Sequence, residues 1–183
     1  MNFYIPKTFI CGDPYFCDAS AAQRNGMKLK EYQNKLIKNI NDKVDEKDFI
    51  IFTGELGFEK EEDIEPIMKQ IKGKISFLTE KKINNYNTYL IDLCSSGKTV
   101  NEQEIPVVYF SCKKNFKKCI NNNSNVYIAA PESISEQTDM FKNRILNISI
   151  NKWNFEPICM DDIPQIIDNY ELFATMKAEE KTY

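Results

Sequence analysis

The chain has 183 residues, with 24 Lys and Arg against 27 Asp and Glu, a formal net charge of -3, and no histidine. That balance excludes broad nucleic-acid binding, which needs a strongly basic face. With 42% hydrophobic and 28% charged residues, the composition is that of an ordinary globular domain with a real core, expected over residues 1–173 with a charged tail at 174–183.

Taken in order, the N-terminal MNFYIPKTFI lacks the basic start and long apolar core of a signal peptide. No later apolar run approaches the roughly 20 residues of a membrane span, so neither membrane insertion nor export is expected and the expected location is the cytoplasm. Thr8-Phe9-Ile10-Cys11 reads as a strand, followed by the loop Gly12-Asp13-Pro14-Tyr15-Phe16. Lys28 to Val44 places Leu29, Tyr32, Leu36, Ile37, Ile40 and Val44 at helical spacing. The continuous apolar run Phe49-Ile50-Ile51-Phe52 is the pattern of a strand buried on both faces. It ends in Thr53-Gly54-Glu55-Leu56-Gly57, a carboxylate between two glycines. Two strands that each deliver an acid at the tip open a metal-dependent hydrolase site, but the histidines that should follow are absent.

Glu61 to Ile71 predicts a second helix, with Ile64, Ile67, Met68 and Ile71 on one face and Pro66 in an early turn. Gly73 stops it, and Lys74 to Leu78 predicts a third strand ending in Thr79-Glu80-Lys81-Lys82. This β-α-β-α-β order favours parallel pairing through helical crossovers. Thr88–Leu93, Val107–Ser111, Val126–Ala130 and Ile145–Ile150 read as four more strands with little helix between them. Met160 to Phe173 reads as a final helix, and the charged stretch from Glu171 as frayed. The fold class expected is α/β: two mixed β-sheets packed together and flanked by helices.

The six cysteines form no close CxxC pair, so they are read as reduced side chains packed as small hydrophobes. Cys112, followed by Lys113, Lys114, Lys117 and Lys118, lacks a histidine base, and that stretch is read as a solvated basic loop. Trp153 and Phe155 are read as core. The stretch from Cys17 to Met27, with Asp18, Ser20, Gln23, Arg24 and Asn25, is read as a loop and a candidate binding rim.

The order strand-GD, strand-GE, strand-TEKK, strand-SC, strand-AAPE, followed by RILNISINKWNFEPICMDDI, resembles the calcineurin-like metallophosphoesterase superfamily. It looks most like the short bacterial and phage branch, whose tail reads RxNVSVDxWNYEPISLDEI. High asparagine, lysine and isoleucine also suit an AT-rich bacterial or phage genome. The resemblance covers essentially the whole chain and implies the calcineurin-like phosphoesterase sandwich.

At the site positions the chain departs from the family. The D-x-H motif falls on Asp13-Pro14-Tyr15, GD on Gly54-Glu55, and GNHD on Thr79-Glu80-Lys81-Lys82. Lys81 thus takes the place of the catalytic histidine. The SH histidine falls on Cys112, and GHxH falls on Ala129-Ala130-Pro131-Glu132. The resemblance implies a two-metal centre that activates water, yet every imidazole ligand is gone. Catalytic loss is therefore the expectation, with Asp13, Tyr15, Glu55, Glu80, Lys81, Lys82, Cys112, Ala130 and Glu132 as a vestigial site, no catalytic residues and no cofactor.

Two readings of that pocket compete. In one, Lys81 or Lys82 neutralises Asp13, Glu55 and Glu80 in a structural salt-bridge cluster, since buried charges must be paired. In the other, Asp13, Glu55, Glu80 and Glu132 hold magnesium or calcium weakly, because hard cations prefer carboxylates. A set of solvated loop carboxylates with no joint role is the third possibility. Function follows the same division: an inactive phosphoesterase-like protein (a pseudoenzyme) that binds a protein partner or small phosphorylated ligand, a hydrolase with a carboxylate-only site, or a nucleotide-sequestering protein.

Overall fold

The computed structural model describes residues 4–89, 92–100, 103–110, 113–121, 127–135 and 145–169. In chain order the elements begin with β1 (Thr8–Gly12), α1 (Ala19–Arg24), α2 (Leu29–Lys43), β2 (Phe49–Thr53), α3 (Ile64–Met68), β3 (Lys74–Leu78) and β4 (Asn87–Tyr89). They continue with β5 (Leu93–Val100), β6 (Gln103–Tyr109), α4 (Lys113–Asn121), β7 (Tyr127–Ala130), α5 (Glu132–Ser135), β8 (Ile145–Asn147) and β9 (Ile158–Cys159), then a helix over 163–169.

The strands form two mixed sheets. The first has the order β4-β3-β2-β1-β9, the second β5-β6-β7-β8. Pairing of β1, β2, β3 and β4 is parallel throughout, as the alternation of strand and helix predicted, while β9 closes the far edge antiparallel to β1. In the second sheet β6, β7 and β8 run parallel and β5 is antiparallel. A parallel bridge between Gly12 and Ser149 joins the tip of β1 to the chain just beyond β8.

The strand period of two explains the layering. Phe9 and Cys11 of β1, with Ile50 and Phe52 of β2 and Phe77 of β3, pack against Tyr32, Leu36 and Ile40 of α2 and Ile64, Ile67 and Met68 of α3. Ile10, Ile51 and Leu78, one residue out of phase, face the second sheet and meet Val107, Tyr109, Tyr127, Ala129 and Leu146. Beyond that sheet Ile128, Ala130 and Ile145 pack with Phe116 of α4 and Ile134 of α5. Burial of each such aliphatic or aromatic side chain stabilises the fold by about 1.5–3 kcal/mol. Within the run Phe49–Phe52, Ile50, Ile51 and Phe52 are buried because both faces of β2 are covered, whereas Phe49 at the strand's entrance is exposed beneath Lys74.

Several expectations need correction. The segment from Cys17 to Met27 contains helix α1, whose N-cap Asp18 accepts hydrogen bonds from the N–H groups of Ser20 and Ala21 at 2.7 and 3.0 Å. The lysine-rich stretch after Cys112 is helix α4, not a solvated loop, because Phe116 anchors one face beside Phe110, ring centroids 5.8 Å apart. Glu61–Asp63 is a 3-10 turn leading into the shorter helix α3. The strand expected over Thr88–Leu93 belongs to two strands, β4 and β5, in different sheets. Trp153 is half-buried against the inter-sheet core, its indole N–H donating to Asn147 O at 2.8 Å. Phe155, expected as core, is buried as expected, edge-on to Tyr32. Residues 170–173 of the expected final helix and the charged tail lie outside the described residues. Cys11, Cys17 and Cys159 are free thiols. Among the described residues, no helix is long and apolar enough to cross a membrane.

Asp48 fastens the N-terminal segment to the entrance of β2. Its carboxylate is buried and accepts from the Tyr4 hydroxyl at 2.6 Å and from the N–H groups of Lys7 and Asp45 at 2.8 and 2.9 Å. Burial alone would push the carboxyl upward, but these hydrogen bonds outweigh it and hold the pKa below the usual carboxylate value. A depressed folded-state pKa contributes stability that is present above the unfolded value and lost as pH falls toward the folded one. Thermal unfolding should therefore show Tyr4→Phe lowering Tm at pH 7, with the difference from wild type shrinking below about pH 4, where unfolded aspartate protonates. A difference that grows on acidification would contradict this role.

Candidate functional site

Parallel strands bring their C-terminal ends to one edge, so the loops after β1, β2, β3 and β7 meet there. The first two are zipped by backbone hydrogen bonds: Asp13 N–H to Thr53 O at 3.0 Å, Tyr15 N–H to Glu55 O at 3.2 Å and Phe16 N–H to Leu56 O at 2.8 Å. Asp13 and Tyr15 lie in the left-handed region with φ of 47° and 48°, a conformation that costs non-glycine residues about 1–2 kcal/mol. Such strain persists only where the surroundings impose it.

At the centre is Asp13, only 3% exposed. Its Oδ1 accepts from the Glu55 N–H at 2.9 Å and from the Ser133 hydroxyl. Its Oδ2 accepts from the Ser133 N–H at 3.0 Å and the Ser149 hydroxyl at 2.7 Å. Two backbone amides and two hydroxyls thus fill the roughly four lone-pair positions of a carboxylate. Ser149 is itself held, its N–H donating to Asn147 Oδ1 at 2.9 Å. Its Oγ accepts from the Glu132 N–H at 2.7 Å. The carboxylate therefore stitches β1 and β2 of one sheet to the ends of β7 and β8 of the other.

The approach of these backbones selects the glycines. A Cβ on Gly12 would lie 2.7 Å from Ile148 O and 2.8 Å from Pro131 Cβ. A Cβ on Gly54 would overlap Asp13 Oδ1 and sit 2.8 Å from both Pro131 Cγ and Ser133 Oγ.

Around this buried centre the charged side chains are more open. Tyr15 is half-buried and its hydroxyl is pushed up to about 12, first by burial and then by Asp13, Glu55 and Glu132, with Arg24 partly offsetting them. Arg24 stands 5.7 Å from the Tyr15 ring centroid, which makes α1 part of the rim. Glu132 is half-buried and faces Lys152 at 3.8 Å. Ala130 is fully buried in β7. Glu55, Glu80, Lys81 and Lys82 are exposed. Cys112 lies outside the described residues.

The lysine counter-charge expected for Asp13 is not what the fold uses. Among the described residues, no ion pair joins Lys81 or Lys82 to Asp13, Glu55 or Glu80. The loop after β3 turns both ammonium groups to the surface, and neutral donors take the place of a buried cation. Replacing either lysine with methionine should shift the denaturation free energy by no more than about 0.5 kcal/mol, as exposed substitutions do. A loss of several kcal/mol, read from the urea midpoint, would restore the salt-bridge account.

Nor do the residues present fit the two-metal centre that the family resemblance implies. Both oxygens of Asp13, at the D-x-H position, are committed to donors, a methyl group stands at Ala130, and ammonium groups stand at Lys81 and Lys82. Among the described residues, no three His, Cys, Asp or Glu side chains converge as a metal site would require. The residues missed from sequence are Ser133, Ser149 and Asn147. Their only sequence signal is position: Ser133 lies three residues past the end of β7, Asn147 ends β8 and Ser149 lies two residues beyond it.

Beside this cluster a groove of about 390 Å³ opens between the loops after β2 and β3, lined by Glu55–Lys60, Ile64, Thr79 and Lys81–Ile83.

No protein-family model and no curated protein matches the chain. Among solved structures, the protein of unknown function AQ665 from Aquifex aeolicus is similar over 88% of this chain and 100% of that one. The TM-score is 0.62 at 9% sequence identity. At that identity the likeness concerns the fold alone.

Proposed function

We propose that this chain is a catalytically inactive protein of calcineurin-like phosphoesterase type, which acts by binding a small phosphorylated ligand or a partner protein and does not hydrolyse phosphoesters. The observation that carries this reading is the commitment of Asp13. A carboxylate that ligates a metal must direct free lone pairs at the ion, whereas all the acceptor positions of Asp13 are taken by Glu55, Ser133 and Ser149. The residue at the start of the family's metal site has become the pin that joins two sheets. Strand order and the tail RILNISINKWNFEPICMDDI support the same placement, and fold and site are separable, so one survives loss of the other.

The test combines elemental analysis of the purified chain with hydrolysis of a generic phosphodiester in added manganese. The expected result is no stoichiometric manganese, iron or zinc, and hydrolysis no faster than the protein-free control. Bound metal together with hydrolysis above that control, both diminished by Glu55→Gln and Glu132→Gln, would overturn the proposal. These exposed or half-exposed positions are chosen because changing Asp13 itself disturbs the fold.

A further inference from the structure

Of the residues lining the groove between the loops after β2 and β3, Glu55 alone bonds to Asp13, through its backbone N–H. Lys60, Lys81 and Lys82 line it, brought from two separate loops to one depression. All three are exposed, and among the described residues none takes part in an ion pair. The three ammonium groups outnumber the two carboxylates of the same lining, Glu55 and Glu59, and an anion offsets that excess positive charge. Between them the walls are apolar: Leu56, Phe58, Ile64 and Ile83. Phe58 is held in place by stacking on Phe16, centroids 5.6 Å apart. Glu55 and Glu59 complete the lining and offer acceptors to hydroxyl or amino groups.

We infer that this groove binds a nucleoside monophosphate, an inference that rests on the reading of the chain as a binder and names its ligand class. Ammonium groups are point-charge partners for a phosphate. Apolar walls suit the faces of a base, and carboxylates suit sugar hydroxyls or an exocyclic amine. Three ammonium groups against two carboxylates favour one phosphate over a polyphosphate, whose further charges would meet Glu55 and Glu59. The volume of about 390 Å³ falls within the range of small-molecule sites, roughly 300–1,000 Å³.

Titration calorimetry tests this with AMP, GMP, CMP and UMP, and with adenosine, ribose 5-phosphate, inorganic phosphate and ATP as comparisons. At least one nucleoside monophosphate is expected to bind, and each comparison roughly tenfold or more weaker, because each lacks one element the groove recognises or adds charge it opposes. Lys60→Met and the double change Lys81→Met with Lys82→Met should each weaken binding by roughly tenfold or more, the loss expected for a hydrogen bond to a charged group. Lys38→Met, on an exposed face of α2, should leave it unchanged.

No binding by any nucleoside monophosphate, binding indifferent to the three groove lysines, or phosphate bound as tightly as the nucleotide would overturn the inference and leave the inactive reading standing. Lysine-dependent binding accompanied by release of inorganic phosphate would do the reverse: the groove would stand and the inactive reading would fall.

Discussion

Asp13→Asn is expected to destabilise the protein by about 3 kcal/mol, read as a lower urea midpoint at unchanged slope. Four donors now converge on the two oxygens of Asp13. An amide presents one oxygen and one NH2 group, so two of those donors would face another donor. Hydrogen bonds to a charged acceptor each contribute about 1.5–3 kcal/mol, and leaving a buried partner unsatisfied adds its desolvation cost. Rearrangement of the Ser133 and Ser149 hydroxyls can recover part of that, which is why the expected loss is below the simple sum. The sign separates two accounts. In a carboxylate cluster built for a cation, removing one negative charge relieves repulsion and stabilises the protein without the ion. Asp13→Asn raising the midpoint would therefore restore the acidic ion-site account. Ser149→Ala should cost less, about 1–2 kcal/mol, since the carboxylate keeps three of its donors.

Gly54→Ala is expected to cost about 2–5 kcal/mol, the sum of a left-handed backbone penalty and the strain of overpacking. Gly54 has φ of 74°, and its added methyl would collide with Asp13, Pro131 and Ser133 together. None of these can withdraw easily: the carboxylate is held on both oxygens, and Pro131 is packed between the sheets' ends. Gly26 supplies the control, because its φ of 69° is similar while an added Cβ there meets nothing within 4 Å. Gly26→Ala should show only the backbone part, about 1–2 kcal/mol. If the two substitutions cost the same, the close approach at the Asp13 cluster has no energetic consequence.

Both expectations give Asp13 a structural task. It is the link through which the β1 and β2 loops grip the second sheet, its carboxylate occupied by serines from two distant loops. The groove beyond it then carries its charge on lysines, at the surface, where desolvation is small and a ligand can supply the counter-charge.

Much of the fold was legible in the residues because local periodicity and burial coincide. Leu29, Tyr32, Leu36, Ile37, Ile40 and Val44 all lie buried or half-buried along α2 and its end. The run from Phe49 to Phe52 marks the strand that two other parallel strands flank, and Lys74–Leu78 is β3 to the residue. Where charge obscured periodicity the reading failed: in α4 Phe116 packs on Phe110 while Lys114, Lys117 and Lys118 are exposed. The pairing of two-residue β9 with β1 has no local signature, since Phe9 and Ile10 meet Cys159 and Ile158 from the other end of the chain. The candidate site divides in the same way. That Asp13 and Glu55 stand at strand tips follows from sequence alone, because each ends an apolar run in a glycine-bearing loop. What neutralises Asp13 does not, because Ser133 and Ser149 lie 120 and 136 residues away. An isolated sequence offered Lys81 and Lys82 as nearby charges. Only the folding of β7 and β8 against β1 adds the Ser133 amide and two hydroxyls to the Glu55 amide of the β2 loop, and in that fold both lysines face water.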